Sequence, residues 1–246
     1  MRLAQKRAIV TGGGSGFGAG IAAKFAAEGA QVIVADINET AAEAVALRIG
    51  GQAIQVDVAR NDSVAAMINA VQAQHGRIDI LVNNAGITHL PKPMEEVTED
   101  EFDRVLAVNA KSVYLTARHL VPLMKAARQG VILNVASTAG VSPRPRLNWY
   151  NASKGWMITA TKAMAVELAP FGIRINAINP VAGETPLLAS FMGEDTPEMR
   201  AKFLSTIPLG RFSTPEDMGN AACFLCSDEA SMITGIAMEV DGGRCI

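Results

Sequence analysis

Short, nearly continuous apolar runs recur along the chain at residues 7–11, 31–35, 53–56, 78–82, 131–136, 173–178 and 236–240. They are rich in Val and Ile and lack polar alternation, the pattern of strands buried on both faces. Between them, apolar positions return at helical spacing near residues 17–28, 39–49, 63–75, 98–127, 150–169 and 214–225. Strand and helix alternating in one series predict an α/β fold, a mainly parallel sheet with helices on both faces. No linker, repeat or low-complexity tract interrupts the series, so the 246 residues read as a single domain. One stretch departs from the rhythm. Residues 183–208 carry Pro186, Pro197, Pro208 and several Met and Phe, too long for an ordinary loop and too interrupted for one helix. A lid over a site and a plain helical excursion packed on a neighbour both fit it.

Composition narrows the function classes. With 49% hydrophobic and 19% charged residues and a net charge of −2, the chain can bury a sizeable core. It has no basic block for nucleic acid and no acidic disordered tail. No apolar run approaches membrane-spanning length, and Met1 leads directly into a short apolar strand rather than a signal-peptide core; a cytoplasmic location is expected. Cys223 and Cys226 form a C-x-x-C inside a helical run, with no second pair and no nearby His. Packing as small apolar residues is the plainer reading than redox or zinc chemistry. His75, His89 and His119 are scattered, and no metal-ligand spacing is present.

The first strand runs into Thr11-Gly12-Gly13-Gly14-Ser15-Gly16-Phe17-Gly18 and then a helix. Gly12 permits the tight turn, Gly16 lets backbone approach a pyrophosphate, and Gly18 lets helix and strand pack closely. The helix N-terminus then faces the phosphates with free N–H groups and its positive dipole end. A glycine-rich turn alone is weak; one placed between strand and helix at the head of an alternating series is a dinucleotide signal. The second strand ends in Asp36, where a carboxylate accepts the ribose hydroxyls of NAD and repels the 2′-phosphate of NADP. The competing role for Asp36 is a helix cap, a job that Asn38 can share.

Tyr150 and Lys154 stand at i, i+4 on a predicted helix, one turn apart on one face. A free phenol of pKa near 10 is only about a thousandth ionised at pH 7, a deficit of roughly 4 kcal/mol. One cation at about 4 Å supplies roughly that much at an effective dielectric of 20, so the pair is able to furnish a general base. Alone, the spacing is a common accident of a solvated helix face. Ser137, at the carboxyl end of the fifth predicted strand, and Asn83-Asn84-Ala85-Gly86, ending the fourth, fall at the edge where α/β sheets place ligands. Asn109 interrupts a helical pattern, where its amide can reach a water or a backbone group. Taken singly, these residues also read as turn, loop and exposed polar positions.

Together, and in this order, they resemble the short-chain dehydrogenase/reductase family over essentially the whole chain: T-G-x-x-x-G-x-G at 11–18, Asp57 after the third strand, N-N-A-G at 83–86, Asn109, Ser137, and Tyr150 with Lys154. The resemblance implies a single-domain Rossmann fold with a seven-stranded sheet and a tetrad of Asn109, Ser137, Tyr150 and Lys154. In that scheme Tyr150 is the acid/base and Ser137 polarises the substrate oxygen. Lys154 binds the nicotinamide ribose and lowers the phenol pKa, and Asn109 holds a proton-relay water. It further implies an NAD site built from Gly12, Ser15, Gly16, Phe17, Gly18, Asp36, Asp57, Val58, Asn83, Ala85, Gly86, Tyr150, Lys154, Pro180 and Thr185. Many NADP-binding members carry a basic residue in the glycine turn; Ser15 stands here instead. Homotetramers or homodimers through two long helices are the implied assembly. One departure is visible: Val181 replaces the glycine usual after Pro180, which puts the local backbone path in doubt, while Thr185 keeps its place.

The substrate expected from this is a small alcohol or carbonyl compound. Arg144 and Arg146, stiffened by prolines, can clamp a carboxylate or sulfonate, or form a solvated loop or subunit contact; His89 and Trp149 are the neighbouring candidates. Residues 83–92, 135–150 and 180–186 also resemble zinc-independent benzylic alcohol dehydrogenases of the same family that act on anionic aromatic alcohols. Rival readings are a 3-oxoacyl-carrier-protein reductase, against which Asp36 counts because those enzymes commonly use NADPH, and a sugar or polyol dehydrogenase. Enoyl reductases space Tyr and Lys more widely. A non-catalytic dinucleotide-binding regulator is disfavoured by the intact Tyr/Lys pair.

Overall fold

A computed structural model describes all 246 residues. Seven strands, β1 (Arg7–Thr11), β2 (Gln31–Asp36), β3 (Gln52–Gln55), β4 (Ile80–Asn83), β5 (Gly130–Val135), β6 (Ile173–Pro180) and β7 (Ala237–Val240), form one sheet in the order β3-β2-β1-β4-β5-β6-β7. Every adjacent pair is parallel. The connecting helices are α1 (Gly16–Ala27), α2 (Glu39–Ile49), α3 (Asn61–His75), α4 (Glu99–Leu106), α5 (Ser112–Ala127), α6 (Asn148–Leu168), α7 (Leu188–Met192), α8 (Pro197–Leu204) and α9 (Pro215–Cys226).

Strand periodicity explains the two layers. In β1, Ala8 and Val10 face α1, α2 and α9, where Ile21, Phe25, Val45, Met218 and Leu225 complete one core. Ile9, between them, faces α3, α5 and α6 and packs with Met67, Ile68, Leu120 and Leu168. Both faces are covered, so the strands have no polar side to show. Cys223 and Cys226 belong to the first core, and burial pushes both thiols up in pKa.

The strand order reverses between β1 and β4, and the crevice at their carboxyl ends is where a doubly wound sheet receives ligands. Two differences from the sequence pattern bear on that crevice. The expected helix at residues 98–127 is broken: α4 passes through a π-helical turn, Ala107–Lys111, before α5 begins. That turn holds Asn109, and single π-turns inside helices commonly mark functional sites. Residues 183–208 form two short helices, α7 and α8, over a small separate core of Val181, Leu188, Met192, Phe203, Ile207 and Phe212. Val181 is therefore an apolar anchor for that segment. It is not among the residues with positive φ, so the missing glycine strains nothing.

Candidate active site

A cavity of about 670 Å³ opens at the carboxyl ends of β1, β4, β5 and β6. At one end lies the glycine turn. Gly12 and Gly16 have φ of +61° and +51°, values that favour glycine. A Cβ on Gly18 would collide with the Gly12 carbonyl oxygen, so Gly18 serves the packing of α1 against the turn and does not itself line the cavity. The Ser15 side chain does not cap α1, leaving first-turn N–H groups available to an anion. Ser15, Gly16 and Phe17 all line the wall.

Asp36 also lines it. Its Oδ2 accepts the Gly14 N–H at 2.9 Å and its Oδ1 the Asn38 N–H at 3.0 Å. The cap of α2 is Asn38, whose Oδ1 accepts the Ala41 N–H at 3.1 Å. Relieved of capping, the Asp36 carboxylate keeps lone pairs for two ribose hydroxyls. Asp57, Val58, Ala85, Gly86, Pro180 and Thr185 complete this end of the wall. The donor set, the positive-φ glycines and the carboxylate fit a dinucleotide without a 2′-phosphate.

Asn83 is a correction. Its amide is buried between layers, donating to Asn134 Oδ1 at 2.9 Å and accepting from the Thr116 hydroxyl at 3.0 Å, and it does not reach the cavity. Asn84 does, with its Nδ2 donating to the carbonyls of Thr11 and Gly12 at 2.9 and 3.0 Å. Asn83 ends β4 with its side chain turned between β5 and α5, while Asn84, just beyond the strand, turns toward the glycine turn.

At the other end stand Ser137, Tyr150 and Lys154. Ser137 follows β5 and caps a short 3-10 turn by accepting the Ala139 N–H at 3.0 Å. Gly140 lays that turn directly on the α6 backbone at Lys154 and Gly155, which brings the hydroxyl to the phenol. Tyr150 is 5% exposed and packs edge-on to Phe191 at 5.1 Å between ring centroids. Burial pushes its phenol up to about 12, and the Ser137 hydroxyl acts in the opposite direction. Lys154 Nζ lies 5.9 Å from the centroid of the Tyr150 ring and donates to the Val135 carbonyl at 2.9 Å. Burial lowers its pKa to about 8, which leaves it largely cationic at pH 7.

Asn109 is fully buried behind the wall, where its neighbours Ala107 and Val108 are exposed to the cavity. Its Oδ1 accepts the Ile87 N–H and its Nδ2 donates to the Ile87 carbonyl, both at 2.9 Å, and to Ser153 Oγ at 3.0 Å. Ser153 Oγ in turn donates to the Tyr150 carbonyl at 2.7 Å. The amide thus reaches the backbone group that its helix-breaking character suggested. With both ends of the amide engaged, its side chain braces the loop after β4 against α6.

The substrate candidates divide. Arg144 lines the cavity, its guanidinium 4.3 Å from the centroid of Phe203, and Nη2 donates to Thr206 Oγ1 at 2.9 Å. It forms no salt bridge, and burial lowers its pKa. Arg146, His89 and Trp149 are corrections. Arg146 is exposed at φ +68° with its carbonyl accepting the Lys92 N–H. His89 is buried off the cavity with Nδ1 on the Leu90 carbonyl at 2.9 Å. Trp149 packs on Phe102 and donates to the Met94 carbonyl at 3.3 Å. Phe191, Leu147 and Phe203, which the sequence does not single out, are among the apolar residues of the wall.

A family model described as enoyl-(acyl carrier protein) reductase matches residues 12–244. The chain is 52% identical, over 252 aligned positions covering both proteins fully, to 4-formylbenzenesulfonate dehydrogenase of Comamonas testosteroni. It is 38% identical to a cyclopentanol dehydrogenase of a Comamonas strain, over 98% of each. Among solved structures, a 3-ketoacyl-(acyl-carrier-protein) reductase from Brucella melitensis complexed with NADH superposes with a TM-score of 0.93 at 50% identity, over 99% of this chain and 100% of that one. A ketoacyl reductase with bound NADH means that cofactor choice, and hence Asp36, does not separate the two enzyme readings.

Proposed function

The chain belongs to the short-chain dehydrogenase/reductase family, interconverting an alcohol with an aldehyde or ketone through NAD(H), and we propose that its substrate is an aromatic alcohol bearing an anionic group. The observation that carries this reading is Arg144, a half-buried guanidinium in the cavity wall with no carboxylate partner. An unpaired buried cation is costly, and an anionic substrate group offsets that cost. The Comamonas relative, named for a sulfonated benzaldehyde, supports the same class.

Bound NAD⁺ supplies the hydride acceptor and brings a positive charge to the cavity. Tyr150 Oη takes the hydroxyl proton of the alcohol as its carbon loses hydride, and returns it in the reverse direction. The Ser137 hydroxyl holds the substrate oxygen, Lys154 keeps an ammonium beside the phenol and serves the ribose, and Asn109 holds the loop after β4 in register with α6. Asp36 and Asp57 serve the adenosine end, and Asn84 shapes the glycine turn. Phe191 and Phe203 cover an aromatic ring, which makes residues 183–208 a lid. The exposed Tyr114 and Trp156, on α5 and α6, support a homodimer or homotetramer through those helices, and the reading includes a cytoplasmic location.

Arg144→Gln is expected to raise KM for 4-(hydroxymethyl)benzenesulfonate by about 10- to 100-fold, the worth of one or two hydrogen bonds to a charged group. Neither kcat nor turnover of uncharged benzyl alcohol should change appreciably. Equal KM values in variant and parent would remove the anionic substrate class. A 3-oxoacyl thioester, uncharged at its reacting end, serves as the comparison; preference for it would favour the carrier-protein reductase reading.

A further inference from the structure

A second guanidinium stands behind the first, contributed by the other end of the chain. Arg244 Nη1 donates to Ser142 Oγ at 3.0 Å, and Ser142 lines the cavity two residues from Arg144. Arg244 Nε is buried with no hydrogen-bond partner. Neither arginine forms a salt bridge, although ten ion pairs occur elsewhere in the chain. The only acidic residues in the cavity wall, Asp36 and Asp57, belong to the adenosine end.

Three segments converge here. Arg144 is held by Thr206 and Phe203, at and just beyond the end of α8. The C-terminal tail lies on the same turn: Gly242 faces Ile207 and Leu209 at φ +63°, and Gly243 faces Pro208 at φ +88°. Leu209 N–H donates to the Gly242 carbonyl at 3.1 Å. Side chains at these glycines would be strained by the backbone and would press on the turn, so the tail has a defined path that delivers Arg244 to Ser142. The two cations oppose each other, and Arg244 contributes to lowering the Arg144 pKa. Like charges brought together without a counter-charge oppose folding; one anion relieves both.

We infer that Arg244 is the second cation of the substrate's anion subsite, acting through its charge and through Ser142 on a group held by Arg144. This rests on the anionic-substrate reading above. It also makes the substrate's anionic group the tie between the 142–146 loop, the α8 turn and the C-terminal tail, so that an anion binds these segments together while a neutral alcohol does not.

The test compares KM for 4-(hydroxymethyl)benzenesulfonate and for 4-methylbenzyl alcohol in the NAD⁺-saturated parent, Arg244→Gln, Arg244→Lys and Arg144→Gln enzymes. Arg244→Gln is expected to raise KM for the sulfonate about tenfold, to leave the neutral alcohol unchanged, and to be largely rescued by Arg244→Lys, which a packing role alone would not produce. If Arg144→Gln alters the ratio of the two KM values and Arg244→Gln does not, Arg244 has no part in the subsite while the substrate class stands. If neither alters it, both ideas fail. Should Arg244→Gln not fold, Ser142→Ala takes its place, with a smaller rise expected for the sulfonate alone and overturn if the ratio is unmoved.

Discussion

Replacing Tyr150 by Phe is expected to lower kcat for alcohol oxidation on the order of 10³- to 10⁴-fold, with NADH affinity within about threefold of the parent. The substitution removes one oxygen from a buried ring that keeps its contact with Phe191, so the fold and cofactor site persist while the proton acceptor is lost. Steady-state rates at 340 nm, paired with a fluorescence titration of NADH, separate these effects. A variant that binds NADH normally and turns over at even a tenth of the parent rate would show that the proton leaves by another route.

Lys154→Met is expected to lower kcat by about 100-fold and to shift the rise of the oxidation rate toward higher pH. The magnitude follows from two numbers. Burial holds the phenol at about 12, so bringing it near neutrality requires about 7 kcal/mol at roughly 1.4 kcal/mol per pH unit. One cation at about 4 to 6 Å is worth roughly 3 to 4 kcal/mol at an effective dielectric of 20, and the deficit is larger than for a free phenol. The lysine is therefore necessary but insufficient, and the positive charge of oxidised cofactor must supply much of the rest. The sign is fixed: oxidation needs the phenolate, losing a cation raises the phenol pKa, and the rate at a given pH below that pKa falls. A pH–rate profile of the Lys154→Met variant that overlies the parent's would reject this assignment.

Much of the architecture was readable because both faces of the sheet are buried. Val10, Ile33 and Leu81 sit in runs with no polar face to blur them, and the glycine turn, Asp36, Ser137 and the Tyr150–Lys154 pair follow from local spacing on known elements. What local spacing does not carry is tertiary. The π-turn at Asn109 leaves the apolar pattern almost unbroken, so residues 98–127 read as one helix. Asn83 and Asn84 are equivalent in composition, and only where β4 ends decides which one meets the glycine turn. Arg146 reads as well as Arg144 until the loop turns its backbone to positive φ and exposes it. Arg244 lies 102 residues from the serine it bonds, and nothing near either residue in the chain announces the meeting. Val181 looked like a defect in the family pattern and is instead the base of the small core beneath α7 and α8.

The proposed chemistry depends most directly on the acidity of one phenol, and that quantity is measurable. The chain has two tyrosines, so a Tyr114→Phe protein, altered at an exposed position, retains Tyr150 alone. Its tyrosinate absorbance near 295 nm should stay absent until strongly alkaline pH in the free protein. With saturating NAD⁺ it should appear several pH units lower, at the same midpoint as the rise in oxidation rate. A titration unmoved by NAD⁺, beside a rate that still rises near neutral pH, would contradict the account.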